Sequence, residues 1–523
     1  MRRSLLLMRN FLDTAEQKLC AAGAWVDRRL LAAVSLAALA CMLLAHGFAF
    51  ANLFPNHDST IVVYDAQWTM YVLGRWLQNL YYPLIRGKIA APWLIGAFGT
   101  LYLALAGYGI ARLLELKRWA AALLTGLLGC CATVVSALST YNLWTDAYML
   151  AMLLACAGVW CAERWRGAWG VCGAAVCFCG CLALYQSYIQ FAVGLFLLLL
   201  LGQALRGASW REWLGRGVYA LACLAAGGAL YLLSVRVSLA LTGYQLADTG
   251  NGLAQLTRLG PAAILAGIPA VYQNFFATLL GASGWNDRGM RVATALLLAL
   301  SVLGLVLRLR GKNVRAAVQA LAAVALLPLG LNVIYLLTSG NVYILMQHAL
   351  FLVYALPLML FSASGNGSPR KLWGWGSALF CAFLILRMAI CSNGAYVYTQ
   401  LVYDQTARQV TAIMAKVQQL PGYEEGQTPV VFAGSFTDSD FAYRDPAFSR
   451  YAEGDLHQVS SALTYDGTIK WWFQHVMGST ANVVADQAQL DQWAEDPRVQ
   501  AMPAYPEGEY CAMIDGTAVI RIS

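Results

Sequence analysis

The run LLAAVSLAALACMLLAHGFAFA, Leu30–Ala51, contains no Asp, Glu, Lys or Arg over a length that crosses a bilayer as one helix. Runs of the same kind begin near Ile89, Trp119, Thr145, Ala168, Tyr188, Gly217, Arg291, Ala316, Val342 and Leu372. By length they predict about eleven spans. The composition agrees: of 523 residues 59% are hydrophobic and 12% charged, with a mean hydropathy of +0.57. Soluble domains carry about twice that share of charge, so the sequence defines a mainly α, polytopic membrane protein. Small residues in GLLGCCATVVSALS suit helices that pack closely in lipid.

Charge in the connections sets the expected orientation. Lys and Arg crowd into alternate turns: Arg28–Arg29, LKR at Leu116–Arg118, ERWRG at Glu163–Gly167, LRGASWREWLGRG, RLRGKNVR and SPRK. The positive-inside rule makes these cytoplasmic, so the net charge of +8 reflects topology and calls for no nucleic-acid partner. The apolar stretch Leu259–Trp285 could span, but counting it would put RLRGKNVR outside. It therefore reads as an interfacial or re-entrant helix inside an outer loop, 241–290. The N-terminal segment, 1–29, reads as a cytoplasmic surface helix rather than a signal peptide. The membrane domain runs over 30–391.

From 392 to 523 the chain turns polar and acidic. TPVVFAGS (Thr428–Ser435) and the terminal GTAVIRIS read as strands and QAQLDQWAE as a helix. They predict a small extracytoplasmic α/β domain. Most of the 14 cysteines lie in apolar runs, where they act as small hydrophobes, and Cys511 alone sits deep in the tail, so no disulfide framework is indicated. No internal repeat is visible.

With this topology the polar residues hardest to assign to packing collect on the outer side. Asp58 and Asp65 lie in the first outer loop, Asn52–Lys88, with His57 beside the first of them. Asp146 opens a span in STYNLWTDAYML, where it is equally a first-turn acid stabilised by the helix dipole. Tyr185, Gln186 and Tyr188 fall in LYQSYIQ, and Ser339, Asn341 and His348 in TSGNVYILMQH. Each has a plainer reading: a solvated loop for Asp58, a helix cap for Asp65, a satisfied buried ring for His348. Helical spacing over Ala66–Tyr82 places Gln67, Tyr71 and Arg75 on one side and Trp68, Val72 and Trp76 on another, an interfacial amphipathic helix. Arg75, Arg86 and Lys88 would then sit at headgroup depth, where guanidinium suits a lipid phosphate. Arg236 and Arg387 sit near the outer ends of their spans, Arg387 being a functional candidate or a snorkelling side chain. Asp438 and Asp440 form a D-x-D pair, too short a pattern to indicate a metal. No cofactor is implied.

Several stretches, in order, give the chain its family look: NHDSTIVVYDAQWTMYVLGRW, STYNLWTDAYMLAMLLA, LYQSYIQFAVGLFLLLLL, LNVIYLLTSGNVYILM and LPGYEEGQTPVVFAG. In these the chain resembles the GtrII-type membrane glucosyltransferases, of GT-C architecture. The resemblance implies transfer of a glucosyl unit from undecaprenyl-phosphate glucose, a polyprenyl-phosphate sugar, to a cell-envelope glycan or lipid-linked acceptor such as O-antigen or teichoic acid. The reaction would take place at the outer face of the plasma membrane, among its lipids. The general base such enzymes place in the first outer loop falls on Asp58, with Asp65 second and Asp146 supporting. Donor phosphate binding then falls on Arg75, Arg86, Lys88, Arg236 and Arg387, and sugar or acceptor binding on His57, Tyr185, Gln186, Tyr188, Asn341 and His348. The rival reading is a transporter or flippase for a lipid-linked glycan, which requires polar sites near the midplane, usually with repeat symmetry and broken helices.

Overall fold

The computed structural model describes residues 26–54, 68–247, 260–362, 368–436, 445–452 and 468–523. The expected N-terminal surface helix, His57, Asp58, Asp65, Asp438 and Asp440 lie outside them. The main helices are α1 (Arg28–Ala51), α2 (Pro92–Leu113), α3 (Arg118–Cys130), α4 (Ala132–Thr140), α5 (Thr145–Trp165), α6 (Gly167–Leu184) and α7 (Ile189–Arg206). They continue as α8 (Trp210–Thr242), α9 (Pro261–Leu280), α10 (Arg288–Leu309), α11 (Val314–Leu331), α12 (Ala355–Ser362) and α13 (Ser368–Val417). Among the described residues, 11 helical stretches are long and apolar enough to cross a membrane, α3 and α4 counting as one.

Local chemistry explains many of the boundaries. Asp27 caps α1 through the Arg29 and Leu30 N–H groups, Asp287 caps α10 through Met290, and Asn313 caps α11 through Ala316. Ser209 and Glu212 form a capping box at the start of α8. Gly207 ends α7 in the left-handed region, where a side chain would be strained.

The number of helices long and apolar enough to span agrees with the sequence reading, but the stretches that supply them differ. The stretch expected to span from Val342 is no continuous α-helix: 3-10 turns cover Ile344–Met346 and His348–Tyr354 before α12 begins. Side chains claim the carbonyls a helix would use. Thr133 donates to Ile344 O and Gln190 to Met346 O. Conversely, Leu259–Trp285 contains α9, a regular helix apolar enough to span. It is peripheral, with 17% of its apolar window buried against 89% for Arg118–Thr140.

The basic connections gather at one end of the bundle. Arg206 approaches Glu115, Arg216 pairs with Glu163, and Arg315 donates to Gly207 O. The remaining turns meet at the other end. There Arg86 donates to Leu143 O, Gln186 to Leu73 O, and Asn393 to Leu44 O. The alternation of charge along the chain thus becomes a separation of charge in space.

The change of composition near 392 is not a break in structure. The 50-residue α13 passes through it and reaches about 75 Å by helix rise, far more than a bilayer core. It leads into a sheet of order β2-β1-β4-β3, with β1 (Pro429–Ala433), β2 (Asn482–Val483), β3 (Cys511–Ile514) and β4 (Thr517–Arg521). The central β1 runs parallel to both β2 and β4. The β3–β4 hairpin turns on Asp515 and Gly516, both at positive φ as a two-residue Asp-Gly turn demands. Val431, Ala433 and Val519 bury one face against Leu490 and Trp493 of the short helix Gln487–Glu495.

The tail also touches the bundle. Arg450 donates twice to Gly284 O, close to the Asp287–Arg387 ion pair. Burial pushes the Asp287 carboxyl up, but the Arg387 hydrogen bond, the Met290 N–H and the nearby arginines together hold it below its usual value. A depressed carboxyl stabilises the fold above its ordinary pKa of 3.8 and loses that contribution as pH falls through the lowered value. Asp287→Asn is therefore expected to cost about 1 kcal/mol near neutral pH, since the pair is partly exposed and the cap is weakened. Thermal melts in detergent should show the deficit shrinking on acidification below pH 4.

Candidate functional site

Arg86 and Asp146 meet at the end of the bundle opposite the basic turns. Asp146 stands in the first turn of α5, as its sequence suggested, and is fully buried. Arg86 Nε lies 3.2 Å from its Oδ2, both side chains having no exposed surface. Tyr81 donates to the same oxygen at 2.9 Å, and its own oxygen lies 3.2 Å from that of Tyr102. Arg86 also donates to Ile89 O and Leu143 O and lies over the Tyr82 ring. Protein groups take up both terminal nitrogens of this arginine, while its Nε faces Asp146 as an ion pair without an aligned hydrogen bond. It ties the 82–89 segment to the start of α5.

The expected continuous helix over Ala66–Tyr82 divides in two, Trp68–Val72 and Gln78–Tyr81. Gly74 is the cause. At φ +73 it takes the left-handed position of a Schellman ending, with Gly74 N–H to Tyr71 O and Arg75 N–H to Met70 O. Both pieces and the turn between them are fastened to the bundle. Gln186 donates to Leu73 O, Tyr231 to Gly74 O, Gln78 to Leu184 O, and Trp76 to Ser234 Oγ. Trp76 is a tether to α8 rather than a free lipid anchor.

This fastening presents Arg75. Its guanidinium lies 4.5 Å from the centre of the Tyr185 ring, and its Nε is 3.4 Å from Gln186 Oε1. Tyr185 stacks on Tyr148 at 4.5 Å, and both rings neighbour Tyr188. Tyr148 is two residues beyond Asp146, so the aromatic floor joins the acid's helix to Arg75. Among the described residues Arg75 has no carboxylate partner.

His348 closes the far side of this floor, but its nitrogens are engaged. Nε2 lies 2.9 Å from Leu128 O and Nδ1 lies 3.1 Å from the Tyr188 hydroxyl. A second histidine, His46, is arranged likewise between Gly129 O and Tyr396. Both answer the break between α3 and α4, where Cys131 is extended at φ −66, ψ 160. The break deprives the last carbonyls of α3 of helical partners. Because a carbonyl only accepts, each Nε2 carries the proton and each Nδ1 accepts from tyrosine. His46→Ala orphans a carbonyl and a tyrosine hydroxyl and is expected to cost about 1–3 kcal/mol for each group. Melting in detergent should register that loss.

The other candidates lie apart. Arg387 is ion-paired with Asp287, Arg236 and Lys88 are exposed, and Asn341 is exposed in the turn before the 3-10 segment. Among the described residues no three His, Cys, Asp or Glu side chains converge as a metal site would need. The sequence reading missed His46, Tyr81, Tyr102, Tyr148 and Tyr231. His46 carried a usable signal, a lone titratable ring in an apolar run. The tyrosines carried none, because only the helix packing brings them together.

These features define a polytopic membrane protein with an arginine, a buried carboxylate and a tyrosine floor gathered at one end of its bundle. The family model described as Glucosyl transferase GtrII matches residues 47–363, and the chain belongs to that family. It is a glucosyltransferase. The matched region runs from the end of α1 past α12; of the residues discussed above, Arg387 lies beyond it and His46 one residue before it. No curated protein matches the chain.

Proposed function

We propose that the protein transfers a glucosyl unit from a polyprenyl-phosphate sugar to a cell-envelope glycan or lipid-linked acceptor at the outer membrane face. The observation that carries this reading is Arg75, a guanidinium without a carboxylate partner among the described residues, held over the Tyr185 floor within the family-matched region. The basic turns at the opposite end support a cytoplasmic placement for that end.

In the proposed step an acceptor hydroxyl oxygen attacks the anomeric carbon while Asp58 removes its proton. The bond from that carbon to the phosphate oxygen breaks, and polyprenyl phosphate leaves with the electron pair. Arg75 neutralises the leaving phosphate, and Asp65 is the second-choice base. A single displacement inverts the anomeric centre. Asp146 supports the site through Arg86 rather than reacting.

The flippase reading draws on broken helices, which the α3–α4 junction supplies. That junction is closed by His46 and His348, which take its freed carbonyls, so it favours packing over transport. The test incubates purified protein and acceptor glycan with polyprenyl-phosphate glucose or with a nucleotide-linked glucose, each labelled in the sugar. Label should leave the lipid donor only. Release from the nucleotide donor alone contradicts the proposal.

A further inference from the structure

A second polar constellation lies at the basic end, remote from Asp146 and Arg75. The turns joining α5 to α6 and α7 to α8 border an open hollow of about 680 Å³, lined in part by Glu163, Arg166, Arg206, Glu212 and Arg216. That size suits a small ligand. Its acids are already engaged, Glu163 with Arg216 and Glu212 with the Ser209 capping box. Among the described residues Arg206 faces only the exposed Glu115, at 3.6 Å, a pair that solvent screens. Arg166 meets no carboxylate among the described residues.

The backbone holds these charges at a cost. Arg166 sits at φ 42 and Glu115 at φ 54, a region that non-glycine residues adopt rarely. A narrower cleft of about 170 Å³ also includes Arg206 in its lining, with Leu113, Leu198, Leu199, Leu205 and Met359 as apolar walls. The Arg206 guanidinium folds back over Gly202, where an added Cβ would come within 3.8 Å. A free anion would use the first space alone, and a neutral lipid the second alone. Only an anionic amphiphile uses both, through the arginine they share.

We propose that this end of the bundle binds an anionic phospholipid of the adjoining leaflet. Its phosphate lies between Arg166 and Arg206, and the first methylenes of one acyl chain enter the leucine-lined cleft.

Native mass spectrometry of delipidated full-length protein, given phosphatidylglycerol or phosphatidylcholine, tests this. The wild type should retain phosphatidylglycerol in preference. In Arg166→Gln/Arg206→Gln retention should weaken by about fivefold for each charge removed. Gly202→Leu, which fills the cleft, should weaken lipid retention without removing either charge. Equal retention of the two lipids by the wild type overturns the proposal, and that comparison decides even where a variant fails to fold. Unchanged retention in a folded double variant also overturns it. Displacement of the lipid by millimolar inorganic phosphate would make the site a simple anion site and likewise overturn the lipid assignment.

Discussion

Asp58→Asn is expected to lower glucosyl transfer from a polyprenyl-phosphate donor by about 10²- to 10⁴-fold, the usual share of a general base. The amide has nearly the carboxylate's shape but no capacity to take a proton at neutral pH. The melting of the protein should stay as in the wild type, because an acid retained for chemistry contributes little to the fold. Asp65→Asn serves as the control. If Asp65 caps a helix it should lose about 1 kcal/mol of stability with turnover retained. Wild-type turnover in Asp58→Asn, or loss of turnover only in Asp65→Asn, would move the base from Asp58.

Asp146→Ala carries the largest expected cost in stability. It leaves the Arg86 guanidinium fully buried without its carboxylate and removes the acceptor of Tyr81. Truncating one member of such a pair costs about 3–5 kcal/mol, mostly from the uncompensated charge. Replacing both members with apolar residues of similar volume avoids that charge. Asp146→Leu/Arg86→Met should therefore recover much of the loss, as buried pairs exchanged for packed hydrophobes often do. Denaturation in detergent measures the stability of each variant, and transfer assays on the folded double variant separate the two roles. A well-folded double variant as inactive as Asp58→Asn would place Asp146 in the chemistry.

The sequence made the membrane character and the segregation of charge legible, because both depend on composition over long windows. Leu30–Ala51 and the arginine-rich turns required no partner to be interpreted. The failures occur where side chains override backbone tendency. The apolar run from Val342 through Ser362 is long enough to read as a span, yet Thr133, Gln190 and His348, two of them distant in sequence, engage groups on its first half and on α3. Ala66–Tyr82 has helical spacing, yet one glycine at positive φ ends the first piece and turns Arg75 onto Tyr185. The candidate site was legible only in part. Asp146 and Tyr185 stood out by position, but Arg86 was expected to hold phosphate and instead binds Asp146. Nothing local in YYPLIRGK announces a partner some 60 residues away, at Asp146.

The most direct test uses proteoliposomes in which the C-terminal domain faces the bulk solution, as checked by protease accessibility. Labelled polyprenyl-phosphate glucose in the outer leaflet and acceptor glycan outside should give glucosylated acceptor with inverted anomeric configuration. Absence of any turnover, with a lipid-linked glycan instead crossing between leaflets, would contradict it.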